Sequence, residues 1–562
     1  MKEEVFAQIS LIIKDIYSDL GDCEVELSQP EEKFGDFSCN IAMKIAKKSG
    51  GNPREIADKV AHAVNSSGHG LVASVAGPGF INLSIADGKL IGWINKPLVA
   101  PKIYSNQKVI VEYSDPNPFK PLHAGHLYTT LVGDSISRIV EYAGAEVIRI
   151  NYSGDVGLHV AKSMWAIIKN LGGESFSKLA VTAGENQTSW LGDRYIEGSS
   201  AYEDDEQAKT EIIAINKKVY ALHENNDTTS EFAQIYWQCR EWSYEYFKSL
   251  YERLGTAPFD RFITESEVTK LGLDTVKEQE KKGVYQESDQ AIIYKAEEVG
   301  LHTRVFINSA GLPTYEAKEV GLVLTKWRDY HYDRSIIITA NEQEQYMQVV
   351  LASVKQFAAE PVQRTNHLTH GMVKLAGGQK MSSRKGNILS AVDVIDTAEA
   401  VSRDKFNNED VDIAVGSIKY SFAKQRIGGD IIYDPISSVN IHGDSGPYLQ
   451  YALVRAKSIL KNNDESAKLD PDDVQNLDAS ERSICRKMQY FDDIVSISAK
   501  EFAPNIITTY AYELAKSFNK FYESSQVVNN DRTNIRIIIV KKYTSILQQC
   551  LDLIGLKIFE EM

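Results

Sequence analysis

The sequence predicts an α/β protein: a doubly wound parallel sheet with a helical insertion, a small α+β N-terminal domain and an all-α C-terminal bundle. Three observations predict it. Residues 109–150 read strand, loop, helix, strand. A second strand–helix–strand run occupies 335–372. From about Val439 onward apolar residues recur at helical spacing. At 562 residues the chain is too long for one ordinary core. The expected divisions are 1–100, 101–438 and 439–562, with the insertion at about 162–289.

The N-terminal hundred residues open on an amphipathic helix through Val5, Ile9, Ile12, Ile13 and Ile16. Asn52 and Pro53 read as the cap and first residue of a helix running to about Val64. Gly77-Pro78-Gly79 reads as a turn into an alternating strand. Nothing in this part looks catalytic.

In the βαβ unit, 109–112 is a short apolar run suited to a buried strand. Pro116, Pro118 and Pro121 exclude a helix until the loop ends, because proline lacks the N–H and fixes φ. Leu127, Leu131, Ile136, Ile139 and Val140 then recur at helical spacing, and Gly144 stops the helix before a second strand. Such a unit sets a helix N-terminus at the carboxyl edge of the sheet. Lys120, His123, Gly125 and His126 fall there, a place suited to nucleotide phosphates. His123 and His126 have the i, i+3 spacing of a metal pair, but no third ligand stands nearby, so no metal site is expected.

Residues 162–289 are polar, acidic and helical in pattern, with Trp237, Trp242, Tyr246, Phe247 and Leu250 read as core packing. A strand is expected at 335–339, a helix at 342–358 and another strand at 367–372. The glycine-flanked loop 376–387 follows, with Lys380, Arg384 and Lys385 beside Ser382 and Ser383, a composition suited to a mobile clamp on polyphosphate. Later helices are expected at about 479–500, 503–524 and 533–554, forming an antiparallel bundle.

No apolar run approaches the roughly 20 residues that span a bilayer, so no membrane partner is expected. Five scattered cysteines, with no Cys-x-x-Cys pair, read as those of a reducing cytoplasm. The net charge of −15 weighs mildly against a nucleic-acid partner, although an acidic body can carry a local basic surface.

His123-Ala-Gly-His126 followed far downstream by Lys380-Met-Ser-Ser-Arg-Lys-Gly-Asn387 resembles the two signatures of the class I aminoacyl-tRNA synthetases. Within that class the arginyl-tRNA synthetase family is the resemblance. Glu112 to His126, Asn151 to Gly157, Thr314 to Gly321, Gly446 to Ala456, and Phe34 to Asn40 with Ala76 to Asn82 each resemble a segment of it, in order. The resemblance implies a Rossmann-like catalytic domain, an N-terminal tRNA-binding domain and a C-terminal anticodon-binding domain. It implies ATP with Mg2+, L-arginine and tRNA(Arg), and a cytoplasmic, monomeric protein.

By the same resemblance Lys120, His123, His126 and Lys380 are catalytic. Gly125, His123, His126, Met372, Val373, Lys380, Ser382, Ser383, Arg384 and Lys385 bind ATP, with Gly125 letting adenosine approach. Glu112, Asp115, Asn117, Tyr315, Glu319 and Gln343 bind arginine: Glu112, Tyr315 and Glu319 read its side chain, Asn117 and Gln343 its α-amino and carboxylate groups. Four departures stand out. Ser383 replaces the second signature lysine, with Lys120 as the substitute cation; Glu319 replaces a shorter aspartate; Asp115 stands where serine is common; and Leu158-His159 replaces Thr-Gln. Basic candidates for RNA contact in the bundle include Arg455, Lys457, Arg486, Lys541 and Lys542, and the sequence does not select which of them face RNA. The rival readings are another class I synthetase, a small-molecule nucleotidylyltransferase and a tRNA-binding protein without catalysis. Missing zinc cysteines, chain length and the intact signature cations weigh against them in turn.

Overall fold

The computed structural model describes residues 1–18, 24–376, 389–406, 410–461 and 476–561. Its centre is a five-stranded, all-parallel sheet. In chain order the strands are β1 (Lys108–Glu112), β2 (Glu146–Ser153), β3 (Arg261–Thr264), β4 (Arg334–Ala340) and β5 (Thr365–His370). In space they run β5-β4-β1-β2-β3. The order reverses between β1 and β4, and ligands of doubly wound sheets bind outside the carboxyl ends of the strands at such a switch point. Register places Glu112 of β1 opposite Ile337 of β4 and Ile150 of β2.

Helix α1 (Ala124–Tyr142) follows β1, as the proline and periodicity signals require. It is buried nearly all round, since the sheet lies on one side and the C-terminal helices on the other. Leu158–Leu171, Gln187–Asp204, Glu206–Glu224 and Glu231–Leu254 form the helical insertion over a separate apolar core that includes Phe119, Tyr236 and Cys239. The helical pattern expected as far as 289 ends earlier. Residues 261–264 form edge strand β3, and α2 (Glu265–Lys281) and Gln286–Ser288 follow. Four residues are too few for a period to be read, and only pairing with β2 defines this strand. Gln286–Ser288, Ala291–Tyr294 and Arg304–Ile307 make a small antiparallel sheet of their own.

Helix α3 (Tyr315–Tyr330) crosses α2 very closely. A Cβ on Gly272 would lie 2.1 Å from the Ala317 carbonyl oxygen, and one on Gly321 2.3 Å from that of Val268. Gly321→Ala should therefore force the two helices apart and lower stability by about 1–3 kcal/mol, read as a lower denaturant midpoint. An unchanged midpoint would mean that the crossing gives way freely.

The strand and helix expected at 335–339 and 342–358 are present as β4 and α4 (Glu344–Lys355). Two helices not read from the sequence, Ala391–Phe406 and Val411–Ala423, join the sheet domain to the bundle. The expected 479–500 helix is two, Ala479–Met488 and Phe491–Glu501.

The N-terminal domain docks on the bundle through Asp36, which is wholly buried. Its carboxylate accepts from Arg482 at 2.6 Å, Gln489 at 3.2 Å and the Ile85 N–H at 2.7 Å. Two of the bundle's basic candidates for RNA contact are engaged between the domains instead. Arg486 donates to the carbonyls of Pro30 and Gly35, and buried Lys542 donates to that of Lys96, its pKa lowered by burial to about 8. Both are committed to the interdomain contact.

Candidate active site

Beyond the carboxyl end of β1 the chain turns through Ser114, Asp115 and Phe119, all at positive φ. Side chains rarely accept this conformation unless their surroundings impose it. Here Ser114 Oγ lies 2.8 Å from the Tyr251 hydroxyl and accepts from Thr130. Ser153 donates to the Pro116 carbonyl, and the Phe119 N–H donates to Ser243. The insertion thus helps hold the loop that delivers the chain to α1.

His123 caps α1. Its Nδ1 accepts from the N–H of Gly125 at 3.1 Å and of His126 at 3.4 Å, while His126 Nδ1 accepts from the His123 N–H at 3.3 Å. The two rings lie 3.7 Å apart between centroids. Burial, reinforced by nearby Lys120, brings His123 down to about 4, and burial beside His123 holds His126 well below the usual imidazole range. Both rings are therefore neutral at pH 7. With each Nδ1 accepting, the proton sits on Nε2, so each imidazole offers the cleft an N–H donor rather than a positive charge. A Cβ on Gly125 would lie 2.8 Å from His123 Cε1, so the glycine first of all makes room for the capping ring.

A cleft of about 930 Å³, open solvent at its mouth included, spreads from this helix start to α3. Of the residues expected at the site, Glu112, Asp115, Asn117, His123, Gly125, His126, Tyr315, Glu319 and Gln343 line it together. Lys120, Met372 and Val373 are not among the lining residues. The Lys120 ammonium lies 5.6 Å from the centre of the Tyr195 ring in the insertion, and Met372 is largely exposed. Lys380, Ser382, Ser383, Arg384 and Lys385 lie outside the described residues. The chain resumes at Leu389, whose carbonyl accepts from the Ala124 N–H at 2.8 Å, and Ser390 bridges to His123.

The side of the cleft toward α3 is acidic. Glu112, buried at the end of β1, accepts from Lys326 of α3 at 2.5 Å, and that lysine is also buried. Glu265, at the start of α2, pairs with Lys318 of α3, and both are buried. Asp115 Oδ1 accepts from the Tyr152 N–H at 2.8 Å. Burial and the neighbouring Glu112 push the Asp115 carboxyl well above the usual range. The extra acid at this position is thus held toward its protonated form. Glu319 Oε1 accepts from the Tyr346 hydroxyl at 3.3 Å, while its buried Oε2 has no hydrogen-bond partner among the described residues. Tyr315 lies beside the Lys318 ammonium, 4.5 Å from ring centre to nitrogen. His159 points away from phosphate chemistry: its Nε2 donates to the Gly154 carbonyl at 2.7 Å, and burial holds it at about 3.

Glu265, Tyr152, Tyr346 and His370 also line the cleft and were not expected there. Glu265 lay inside what read as a helical insertion, Tyr152 lies in the family-like segment Asn151 to Gly157 but carried no assigned role, and Tyr346 and His370 come from segments carrying no motif. Their only signal was position at or just past a strand's carboxyl end or at a helix start.

The model of the family described as "tRNA synthetases class I (R), catalytic domain" matches residues 93–442. "DALR anticodon binding domain" matches 449–562, and "Arginyl tRNA synthetase N terminal domain" matches 3–85. An arginine–tRNA ligase of Borreliella burgdorferi is 28% identical over 481 residues, covering 81% of this chain and 80% of that one. One from Phocaeicola vulgatus is 25% identical across 100% of both chains. The solved arginyl-tRNA synthetase of Thermus thermophilus has the same fold, with a TM-score of 0.80 at 21% identity over 100% of both chains.

Proposed function

The chain belongs to the class I tRNA synthetases, in the branch that charges arginine, and from that premise we infer how its cleft joins L-arginine, ATP and tRNA(Arg). In the first step an oxygen of the arginine carboxylate bonds to the α-phosphorus of ATP, and the bond to pyrophosphate breaks. In the second, the terminal ribose hydroxyl of the tRNA attacks the acyl carbon, and AMP leaves.

One observation carries the arginine reading: a buried set of four carboxyl groups meets only two lysines, and one Glu319 oxygen has no partner among the described residues. A cationic, planar guanidinium with several N–H donors answers both the charge and the hydrogen-bond deficit. Glu319, Glu112 and Tyr315 surround it, with Asp115, Asn117 and Gln343 toward the α-amino and carboxylate groups. At the other end, the neutral His123 and His126 donate Nε2–H to ATP phosphate oxygens at the α1 N-terminus. Positioning and hydrogen bonding, rather than covalent help, lower the barrier. Lys120 and the segment with Lys380, Ser382, Ser383, Arg384 and Lys385 supply positive charge to the departing pyrophosphate, and Met372 and Val373 lie toward adenosine.

Among the described residues no group of three or more metal-ligating side chains is arranged for an ion. Magnesium is assigned to the ATP phosphates, whose oxygens suit this hard cation, and no protein-side step passes through it. The bundle reads the anticodon, and the N-terminal domain makes a second tRNA contact. The protein works as a cytoplasmic monomer; the free, buried thiols of Cys39, Cys239, Cys485 and Cys550 suit a reducing compartment. No described helix is long and apolar enough to cross a membrane.

Exchange of labelled pyrophosphate into ATP, with tRNA present, should depend on arginine and on no other amino acid. Exchange driven by a different amino acid would sink the arginine reading. Lys120→Ala should slow adenylate formation about 10²–10³-fold at saturating ATP, as expected when one preorganised charged contact to the phosphates is lost. An unchanged single-turnover rate would remove Lys120 from that role.

A further inference from the structure

The charges around Glu319 come from every element packed on it. Glu112 stands on β1, Asp115 on the loop beyond it, Tyr152 on β2, Glu265 on α2 and Tyr346 on α4, while Lys318 and Lys326 share its own helix. Both lysines are already engaged, Lys326 with Glu112 and Lys318 with Glu265. Asp115 is held by the Tyr152 N–H. Glu319 is left with a tyrosine hydroxyl on one oxygen and, among the described residues, no partner on the other. An uncompensated carboxylate in such a place is costly, and protonation is the inexpensive remedy.

Resting on the reading of the cleft as an arginine pocket, we propose that Glu319 is protonated when the pocket is empty and that arginine binds by proton exchange, its guanidinium taking the place of that proton at Glu319 Oε2. The neutral carboxyl and the arginine cation become a carboxylate–guanidinium pair, and one proton goes to solvent. Burial first, and the Glu112 carboxylate second, push the Glu319 carboxyl up to about 8. The guanidinium keeps its charge throughout, so the carboxyl is the partner that must ionise.

A carboxyl raised to about 8 holds its proton below that pH and loses it above, so arginine affinity rises with pH. The rise is about ninefold from pH 6 to 7 and about fivefold from pH 7 to 8, then levels off.

Calorimetric titration of arginine into the full chain, in two buffers of different ionisation enthalpy, tests this. About 0.9 proton should leave per arginine at pH 7, and about 0.5 at pH 8. Glu319→Asp and Asp115→Asn should keep the release. Glu319→Gln should bind arginine more weakly, with the same heat in both buffers and an affinity flat from pH 6 to 8. Equal heats in the two buffers for the unaltered chain would overturn the proposal, as would proton release that persists in Glu319→Gln. Failure of arginine to bind at any pH would instead overturn the arginine reading, and the proposal with it.

Discussion

Glu319→Gln should raise the Michaelis constant for arginine in pyrophosphate exchange by about 10²–10³-fold and leave that for ATP within about twofold. Truncating one side of a buried, hydrogen-bonded charge pair costs about 2–5 kcal/mol, and each 1.4 kcal/mol is about tenfold. The amide keeps the shape of the side chain and an acceptor for the Tyr346 hydroxyl, so the loss reports the charge. The influences on Glu319 come from Glu112, Glu265, Lys326 and Tyr346, none of them at the helix start where ATP is expected. Equal rises for both substrates would take Glu319 out of the guanidinium pocket.

Glu112→Gln should act first on the fold. It leaves the Lys326 ammonium buried beside a neutral amide, and a buried ion pair broken on one side costs about 3–5 kcal/mol. The double change Glu112→Gln with Lys326→Met removes both charges and should recover most of that loss. Urea denaturation of the two variants decides it. If the single variant unfolds where the parent does, Lys326 has found another partner and Glu112 acts on arginine alone. From the motif alone Glu112 reads as a side chain kept for the substrate. Its lysine partner stands 214 residues away and gives the same carboxylate a structural task.

The helix start after β1 was legible because its rules are local. Prolines bar the helix and apolar spacing carries it to Gly144, while the capping by His123 and His126 came only with the structure. The sequence also places Asp115 and Glu319 at the pocket, but without their states of charge. Those depend on burial and on which neighbours already hold the available lysines. Glu265 went unread for a related reason: the strand before it has too few residues to show a period. Which basic residues could face RNA was not legible, because a basic side chain looks the same in sequence whether it faces RNA or, like Arg486 and Lys542, another domain.

The sequence by itself determined the doubly wound sheet, the helical bundle, the signature helix start and the family, since periodicity, capping and ordered motifs are properties of neighbouring residues. Tertiary structure alone decided where the insertion ends, which basic residues join domains and which carboxyls have counter-ions. Those outcomes depend on distances between segments hundreds of residues apart. In a buried site of low dielectric such distances set whether a carboxyl is charged, and so what it can bind.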